Sequence, residues 1–383
     1  MNENEKKTVL INGIAYSPHK PLIIAELGTS HNGDISRAKE MIDAVRQTGA
    51  DCVKFQMVIA SEILHPNTGE VALPGGNIRL YDRFKELESP PEFFKEVKNY
   101  AESKELLFLC TPFGLKSASI LRDLQPQAVK IASPELNFTG LLKEIAGWEL
   151  PVLLSSGVSK LSDIETAVEI LKSGAMKANN KQIPDSRICL LHCVTSYPAA
   201  ETDYNLRVLP LLSEVFGVPV GVSDHSADSA LIPALAVCMG ACVIEKHFCL
   251  SRSDPGLDDP IALPPDDFSL MVKAVRQAAQ AGPEETLAVY RNKRGEALIE
   301  SILGNGIKEL APCEKANYRY TNRSIHALRD IEKDEIIKKS DYAVLRTEKN
   351  LRPGLEPFWE DAIEGRTARN FIPAGEGIRF EDI

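Results

Sequence analysis

The fold of this chain is decided where PLIIAEL (21–27) is followed by ISRAKEMIDAVRQTG (35–49) and then by CVKFQ (52–56). Both short runs are almost continuously apolar, as is typical of parallel strands that are covered on both faces. In the stretch between them, apolar residues recur at helical spacing: Ala38, Met41, Ile42 and Val45. The pattern therefore predicts a strand, an amphipathic helix and a second parallel strand.

The same unit repeats along the chain. Six further apolar runs follow: LLFLCTP (106–112), AVKIAS (128–133), PVLLSSG (151–157), ICLLHCV (188–194), PVGVSDH (219–225) and ACVIEKHF (241–248). Eight βα units over about 260 residues match the size of a TIM barrel. We therefore predict an α/β protein with a (β/α)8 barrel. A doubly wound open sheet is the alternative, but eight regular units fit closure better.

Segments between and before these units carry signals of their own. TVLINGIAY (8–16) places Asn-Gly between β-branched residues, which predicts a hairpin, and we expect it to cap the barrel floor. The connection 57–89 is long for a βα loop, and loops of that length are usually functional. In the first βα turn, Asn32-Gly33 predicts a turn and Asp34 a helix N-cap.

A change of pattern after residue 283 predicts a second domain. We assign residues 1–283 to the barrel with its N-terminal hairpin, 284–320 to a linker and 321–383 to a small, mostly β domain. Within that domain, HALRDIEKDEIIKKSDY (326–342) aligns with TARNFIPAGEGIRFEDI (367–383), which indicates an internal repeat. A module of about 60 residues buries little core, so we expect it to dock on something larger.

Composition narrows the class of protein. The chain has 383 residues and a formal net charge of −10, which argues against nucleic acid as a partner. The start MNENEKKT has no apolar stretch behind it, so we expect no signal peptide. No apolar run approaches the roughly 20 residues that a membrane helix needs, so we expect no membrane partner. These features together predict a cytoplasmic protein.

Polar residues stand at the carboxyl ends of the predicted strands, which is where the active sites of TIM barrels are built. They are Glu26, Lys54, Gln56, Thr111, Lys130, Ser133, Ser155, Ser156, His192, Ser223, His225, Glu245 and His247. Each alone has an ordinary structural explanation, such as a lysine that reaches solvent or a histidine in the core. Charged side chains are almost never buried unpaired, so their concentration at one end of several strands indicates a functional site.

These residue types suit a small phosphorylated acid and a metal. Lys54 and Lys130 supply positive charge to a phosphate, and the neighbouring hydroxyls donate further hydrogen bonds. His225 and His247 end neighbouring strands, so their rings are able to converge on one divalent ion. Two imidazoles leave open coordination positions, which favours a Lewis-acid metal over a structural one.

Eight motifs together resemble the sialic acid synthase family, which includes the N-acetylneuraminate, legionaminate and pseudaminate synthases. They are IIAELGTSHNGD (23–34), GADCVKFQ (49–56), LCTPF (109–113), VKIASPE (129–135), LLSSG (153–157), LLHCVTSYP (190–198), GVSDHS (221–226) and IEKHF (244–248). The resemblance spans almost the whole chain, and the C-terminal repeat is similar to the antifreeze-like SAF domain of those enzymes.

The resemblance implies a transferase reaction. Phosphoenolpyruvate is condensed with the open-chain aldehyde of an N-acetylhexosamine, such as N-acetylmannosamine or a diacetamido relative. The products are a nonulosonic acid, which is a sialic-acid-like sugar acid, and phosphate.

The resemblance also implies roles for positions that match the motifs. Phosphoenolpyruvate would be held by Lys54, Thr111, Lys130, Ser133, Ser155 and Ser223. A divalent metal, Mn²⁺, Mg²⁺ or Co²⁺, would be held by His225 and His247. The sugar would meet Gln56, Tyr197, Glu245 and Asp258. Catalysis itself would involve Glu26, which handles protons or water, together with Lys54 and His225.

Arg323 has a separate implied role. In the family pattern it reaches from the SAF domain into the barrel of a partner subunit and meets the sugar. The resemblance therefore predicts a domain-swapped homodimer.

Two departures from the family pattern leave the sugar open. Gly114 stands where the family usually has Asp, and the loop after the eighth strand reads Gly256-Leu257-Asp258-Asp259 where Gly-Pro-Asp is usual. The loss of the proline makes that loop less rigid.

Three other functions remain possible from the sequence. A synthase of shorter sugar acids would use the same chemistry on a phosphorylated aldose. Lys130 could instead form a Schiff base as in an aldolase. Finally, the C-terminal domain could make the chain a carbohydrate-binding protein whose barrel is inert.

Overall fold

The computed structural model describes residues 8–73, 76–179, 187–348 and 350–383. The charged start of the chain, on which the expectation of no signal peptide rests, lies outside the described residues except for Thr8. Two residues of the predicted functional loop 57–89 lie outside them as well.

The strands follow one another along the chain. They are β1 (Val9–Ile11), β2 (Ile14–Tyr16), β3 (Leu22–Gly28), β4 (Cys52–Met57), β5 (Glu70–Leu73), β6 (Gly76–Arg79), β7 (Leu107–Pro112), β8 (Val129–Ile131), β9 (Val152–Ser155), β10 (Ile188–Cys193), β11 (Val220–Asp224), β12 (Val243–His247), β13 (Arg323–Ala327) and β14 (Tyr342–Arg346).

The helices lie between and after these strands. They are α1 (Ile35–Thr48), α2 (Ala60–Ile63), α3 (Leu80–Glu86), α4 (Pro91–Ser103), α5 (Leu115–Asp123), α6 (Thr139–Ala146), α7 (Leu161–Asn179), α8 (Val208–Phe216), α9 (Leu231–Cys238), α10 (Pro265–Ala281), α11 (Pro283–Arg294) and α12 (Glu296–Leu303). In the described part of the chain, none of them is both long and apolar enough to cross a membrane.

Eight parallel strands form the barrel, in the order β7-β4-β3-β12-β11-β10-β9-β8. The first and last of this series, β7 and β8, lie side by side, so the sheet closes on itself. Helices follow the strands and cover the outside, as right-handed βα connections require. The predicted (β/α)8 barrel is confirmed, and the open sheet is not what this sequence forms.

The lower half of the barrel is filled by apolar side chains. Leu22, Ile24 and Leu109 are buried there in one cluster with Val9 and Tyr16 of the hairpin β1–β2. The hairpin therefore closes the floor of the barrel, as predicted.

Helix α1 begins and ends as its sequence predicts. Oδ1 of Asp34 accepts hydrogen bonds from the backbone N–H groups of Ser36 at 2.7 Å and Arg37 at 3.2 Å. At the other end Gly49 has φ of 82°, a left-handed conformation that glycine adopts without strain. These two ends fix the length of the first βα unit and thereby the position of β4.

The segment predicted as a linker, 284–320, contains α11 and α12 and then returns to the barrel. The carboxylate of Glu314 accepts hydrogen bonds from the backbone N–H groups of Val158 at 2.7 Å and Thr195 at 2.8 Å. These residues follow β9 and β10, so Glu314 ties the segment to the carboxyl end of the barrel. The exact domain boundaries stay a prediction.

The C-terminal residues fold as two similar halves, as the aligned repeat predicts. Ile331 and Ile372, which align in the repeat, pair with each other in an antiparallel bridge and are fully buried. Asp341 accepts a hydrogen bond from the backbone N–H of Lys338 at 2.8 Å, and Asp382 occupies the same position in the second half.

Candidate active site

One side chain from each barrel strand forms a buried layer above the apolar floor. The eight are Glu26, Lys54, Thr111, Lys130, Ser155, Cys193, Ser223 and Glu245. The strand register explains the layer, because Glu26 lies opposite Lys54 and Ser223 lies opposite Glu245. Seven of the eight were predicted from the sequence, and the structure brings them together.

Cys193 is the member that sequence reasoning missed. In ICLLHCV (188–194) the sequence indicates His192. In the structure, however, Cys193 of β10 pairs with Ser223 of β11, and both side chains point into the barrel. His192 points to the outside, where its Nε2 lies 2.6 Å from the carbonyl oxygen of Tyr204. The alternation of side chains along β10 is the signal that identifies the correct residue.

The charges of this layer form one ion-pair network. Nζ of Lys54 lies 3.1 Å from Oε2 of Glu26 and 3.1 Å from Oε1 of Glu245. Nζ of Lys130 lies 3.5 Å from the same oxygen of Glu245. The hydroxyl of Ser223 also donates to it, at 2.9 Å. Glu245 is therefore the common acceptor for both lysines.

Burial and neighbouring charge shift the pKa values of these groups in different directions. Burial raises the pKa of Glu26, and repulsion from Glu245 adds to this against the attraction of Lys54. Burial also opposes ionisation of Glu245, but Lys130 and Lys54 outweigh it and lower its pKa to about 2. Burial lowers the pKa of Lys130, with repulsion from Lys54 in the same direction. The two carboxyl groups therefore differ in acidity: Glu26 is the weaker acid, and Glu245 is the stronger acid.

Four polar atoms of the layer are buried and have no hydrogen-bond partner among the described residues: Oε2 of Glu26, Oγ1 of Thr111, Oγ of Ser155 and Oε2 of Glu245. Oε2 of Glu26 still forms an ion pair with Lys54. Most buried polar side-chain atoms in proteins are hydrogen-bonded. Unpaired hydroxyls beside two ammonium groups therefore indicate a place for an anionic, oxygen-rich ligand.

Ser133 lies beside this layer and is held from two sides. Its Oγ lies 3.1 Å from Sγ of Cys193 and accepts a hydrogen bond from the backbone N–H of Gly157 at 3.0 Å. A Cβ atom on Gly157 would lie 2.1 Å from Oγ1 of Thr195. The glycine of the LLSSG motif thus allows the loops after β8, β9 and β10 to approach closely.

His225 and His247 face each other one step above the layer. Their ring centroids are 5.7 Å apart. Nδ1 of His225 lies 2.9 Å from the carbonyl oxygen of Val194, to which it donates, so Nε2 carries a lone pair, and the hydroxyl of Tyr197 lies 3.4 Å from it. Burial and the proximity of His247 lower the pKa of His225 to about 3, which keeps the ring neutral.

The two rings fit a divalent ion as a pair of nitrogen ligands with open positions. Among the described residues, no group of three or more His, Cys, Asp or Glu side chains is arranged to hold a metal. The metal site on His225 and His247 stays a prediction.

The residues predicted to meet the sugar surround the histidine pair. The ring of Tyr197 packs on His225 with centroids 4.4 Å apart and is 40% exposed at the open end of the barrel. Oδ2 of Asp258 lies 3.7 Å from Nδ1 of His247. Nε2 of Gln56 donates to Glu26 at 2.7 Å. The structure thus places all three at one mouth.

Arg323 reaches from the small domain to Glu135 of its own chain. It is fully buried, and Nε and Nη2 donate to Oε1 of Glu135 of the same chain at 3.1 and 2.9 Å. Nη1 donates to the carbonyls of Glu62 and Val344, and Nη2 to that of Phe113.

An arginine has five N–H donors, and these contacts use all of them. In this chain Arg323 therefore anchors the C-terminal domain on its own barrel and has no donor left for a sugar. The contact with a partner subunit stays a prediction.

The fold and site define a class: a (β/α)8 barrel with a buried layer of polar and charged side chains, a histidine pair and a small C-terminal domain at its mouth. The chain belongs to the NeuB family, which it matches over residues 41–286, and it matches the SAF domain over residues 322–383.

Curated relatives share this organisation over nearly their full length. The chain is 32% identical to an N,N'-diacetyllegionaminic acid synthase of Campylobacter jejuni, covering 94% of this chain and 99% of the relative. It is 32% identical to a pseudaminic acid synthase of the same species, covering 95% and 96%. The resemblance to the sialic acid synthase family is confirmed.

A solved structure shows the same fold. The spore coat polysaccharide biosynthesis protein SpsE of Bacillus subtilis matches with a TM-score of 0.80 and 31% identity, covering 98% of this chain and 99% of that one.

Proposed function

We propose that this chain is a transferase that condenses phosphoenolpyruvate with an open-chain N-acetylhexosamine, giving a nonulosonic acid and phosphate. The observation that carries the proposal is the unpaired state of Thr111 and Ser155 in a buried layer with Lys54 and Lys130. The relatives are named as synthases of diacetyllegionaminic and pseudaminic acids, which favours N-acetylmannosamine or a diacetamido relative as the aldehyde.

Phosphoenolpyruvate fits the polar layer by charge and by hydrogen bonding. Lys54 and Lys130 face its carboxylate and phosphate, and the free hydroxyls of Thr111 and Ser155 donate to their oxygens. Ser133 and Ser223 complete the set. When the ligand enters, the ion pairs of the two lysines with Glu245 weaken. Ion pairs between the lysines and the ligand replace part of them.

The reaction follows from this placement. C3 of phosphoenolpyruvate attacks the aldehyde carbon, whose oxygen becomes a hydroxyl, and positive charge develops at C2. Water adds at C2 and loses a proton, and cleavage of the C2–O bond then releases phosphate and leaves the ketone. Glu26, whose pKa burial raises, is the group that takes the proton from water.

A divalent ion, Mn²⁺, Mg²⁺ or Co²⁺, held by His225 and His247 would supply Lewis-acid polarisation of the aldehyde oxygen. Tyr197 and Asp258 stand beside these rings and orient the sugar, while Glu245 and Gln56 border its reacting end. The lone pair that donation from Nδ1 leaves on Nε2 of His225, 3.4 Å from the hydroxyl of Tyr197, supports this assignment.

Phosphate release tests the function. The purified protein is incubated with phosphoenolpyruvate, a divalent ion and a panel of N-acetylhexosamines, diacetamido sugars and phosphorylated aldoses. We expect release with an acylamino sugar and none without an aldehyde. Release only with phosphorylated aldoses, or with no member of the panel, would contradict the proposal.

Metal binding has its own test. Calorimetric titration of the metal-free protein with Mn²⁺ should show one site, and His247→Ala should lose most of the affinity. Full turnover after exhaustive chelation would contradict a metal requirement.

One observation favours the aldolase alternative, namely that burial lowers the pKa of Lys130, as a Schiff-base lysine requires. Borohydride reduction in the presence of pyruvate would trap such an adduct. We expect none, because Nζ of Lys130 faces Glu245 in the anion-binding layer.

We also propose a cytoplasmic, domain-swapped homodimer. The described cysteines are free, which suits a reducing compartment. Domain swapping exchanges identical contacts between two chains, so the docking of Arg323 on Glu135 seen within one chain can be made between two. No nucleic acid or membrane partner is part of the proposal.

A further inference from the structure

A buried ion pair lies on the outer side of the barrel wall, directly behind the two histidines. Asp224 ends β11 and precedes His225 in the chain, while Lys246 precedes His247 in β12. Asp224 and Lys246 are partners in the strand register, and side chains alternate along a strand, so both point away from the polar layer. Nζ of Lys246 forms an ion pair with Oδ2 of Asp224, and both side chains are buried. Each histidine therefore follows one member of this pair.

Tyr204 connects the ion pair to the backbone of His225. Its hydroxyl donates to Oδ1 of Asp224 at 2.6 Å and accepts a hydrogen bond from the backbone N–H of His225 at 2.7 Å. The tyrosine is fully buried, and Nε2 of His192 lies 2.6 Å from its carbonyl oxygen. His192, which has no part in the proposed reaction, thus contacts the residue that holds His225.

The ammonium group of Lys246 fixes the turn that follows β11. Besides its contact with Asp224, Nζ donates to the carbonyl oxygens of Ser226 at 2.9 Å and Asp228 at 3.1 Å. Oδ1 of Asp224 also accepts a hydrogen bond from the backbone N–H of Ser226 at 2.8 Å. These bonds attach the chain on the far side of His225 to β12, the strand that carries the other histidine.

The position of the His225 ring is defined from several sides. Its backbone N–H is bound by Tyr204, and its carbonyl oxygen accepts a hydrogen bond from the backbone N–H of Ala199 at 3.0 Å. Nδ1 donates to the carbonyl oxygen of Val194 at 2.9 Å. The ring centroid of His247, on the neighbouring strand, lies 5.7 Å away. The contacts behind the strands therefore set the spacing of the two imidazoles, on which simultaneous binding of one ion depends.

We propose that Tyr204 and the Asp224–Lys246 pair are positioning residues for the divalent ion and act through the backbone of His225. The inference rests on the proposed function, because it requires an ion on His225 and His247. Groups that orient metal ligands from behind typically change metal affinity or activity about 10- to 100-fold when they are removed. Without the tyrosine hydroxyl, the buried N–H of His225 loses its acceptor, and burial of an unpaired N–H is unfavourable.

The test compares Tyr204→Phe with the control Tyr100→Phe. Tyr100 lies on α4, which packs against α1, and its hydroxyl donates to Oδ2 of Asp43 at 2.8 Å. Each change thus removes one hydroxyl that donates to a carboxylate and keeps the aromatic ring. Mn²⁺ binding to the metal-free protein is measured by calorimetry, and phosphoenolpyruvate affinity is measured without metal. The absorption spectrum of bound Co²⁺ reports the coordination geometry, and thermal unfolding shows whether each variant is folded.

We expect Tyr204→Phe to weaken Mn²⁺ binding about tenfold or more and to alter the Co²⁺ spectrum. Phosphoenolpyruvate affinity should stay near that of the wild type, because the polar layer lies on the other face of the strands. Tyr100→Phe should change neither metal affinity nor the spectrum. Position 246 gives a second pair of variants if Tyr204→Phe does not fold. Lys246→Met should weaken Mn²⁺ binding, and Lys246→Arg, which keeps a cation beside Asp224, should restore most of it.

Other outcomes overturn the inference in distinguishable ways. Unchanged Mn²⁺ affinity and an unchanged Co²⁺ spectrum in folded Tyr204→Phe would remove the network from the metal site and leave the proposed function standing. Equal losses of Mn²⁺ and phosphoenolpyruvate affinity would show a general structural role instead. A wild-type protein without a Mn²⁺ site that depends on His247 would overturn both this inference and the metal assignment, while the phosphate-release assay still decides the reaction.

Discussion

At the scale of single residues, the chemistry of the site depends on charges that are buried and shared. Lys54 and Lys130 both approach Oε1 of Glu245, while Oε2 of that carboxylate is unpaired. Buried charges are tolerated only when they are paired. Glu26 and Glu245 together balance the charge of the two lysines, and the proposed function has an entering anion take over part of that role.

This arrangement predicts the effect of removing one lysine. Lys130→Met should raise the KM for phosphoenolpyruvate about ten- to a hundredfold, because a hydrogen bond between charged groups contributes about 1.5–3 kcal/mol. Lys54→Met should weaken binding similarly and also destabilise the fold, since it leaves Glu26 and Glu245 without their shared partner.

Calorimetry with phosphoenolpyruvate and thermal unfolding check both effects. Lys143→Met on the exposed face of α6 is the control and should change neither quantity. Normal phosphoenolpyruvate affinity in both lysine variants would contradict the assignment.

At the scale of elements, the start of α5 explains one departure from the family pattern. Gly114 precedes the helix, and the carboxylate of Glu62 accepts hydrogen bonds from the backbone N–H groups of Lys116 at 2.5 Å and Ser117 at 2.9 Å. A Cβ on Gly114 would lie 2.5 Å from Cδ of Glu62. Glu62 therefore supplies from α2 the capping carboxylate that an Asp at position 114 would supply locally.

Because the Glu62 carboxylate takes the place of an Asp at position 114, substitutions at positions 62 and 114 should affect stability non-additively. Gly114→Asp alone should destabilise the protein because it displaces Glu62, and Glu62→Ala alone should cost about 1 kcal/mol, as loss of an N-cap does. The double variant should recover most of the stability, because the new aspartate caps α5 without a clash.

A double-mutant cycle of unfolding free energies measures this coupling. Additive losses in the double variant would show that the two carboxylates do not replace each other.

At the scale of the whole molecule, the C-terminal domain is docked on the barrel mouth through one buried carboxylate. Glu135 is fully buried and pairs with Arg323 and Arg346 from the small domain. Domains of that size gain stability by docking.

The proposed swapped dimer predicts complementation between two damaged chains. Lys54→Ala removes the anion-binding lysine and Arg323→Ala removes the anchor, so each chain alone should be inactive. After subunit exchange, one barrel in each mixed dimer receives an intact C-terminal domain and carries neither lesion. Partial recovery of phosphate release is expected.

The control is a mixture of Lys54→Ala with Lys130→Met, which damages every barrel and should recover nothing. No recovery in confirmed mixed dimers of the first pair would show that each domain serves its own barrel.

Buried neutral histidines predict how the whole chain responds to acid. Burial lowers the pKa of His192 to about 3 and the pKa values of His31 and His326 to about 4, from an ordinary value of 6.5. The unfolded chain therefore takes up these protons first, so the stability present above pH 6.5 is lost as pH falls. At pH 5 the loss is about 2 kcal/mol for each histidine.

Urea unfolding of the metal-free protein between pH 7.5 and 5 should show a falling midpoint. His326→Asn should flatten that dependence, since one group no longer takes up a proton. A midpoint that is constant over this range would contradict the neutral state of these rings.

The sequence by itself determined the barrel, the repeat in the small domain and most of the polar layer. Apolar runs and alternation along strands are local properties, and in a closed parallel sheet they bring the carboxyl ends of all strands to one mouth. For this reason Glu26 and Lys54, which lie far apart from Lys130 and Glu245 in the chain, were predicted to share a site.

Only the tertiary structure decided where the long polar side chains find their partners. The inward direction of Cys193 depends on the register with β11, and the cap that Glu62 provides depends on the approach of α2 to the start of α5. All five N–H donors of Arg323 bind backbone carbonyls or Glu135. Arg346 binds Glu135 through Nε and Nη2 only, so its Nη1 has no acceptor among the described residues. Whether all donors of an arginine are used depends on which acceptors the packed domains bring near it. No local pattern of residues encodes those long-range contacts.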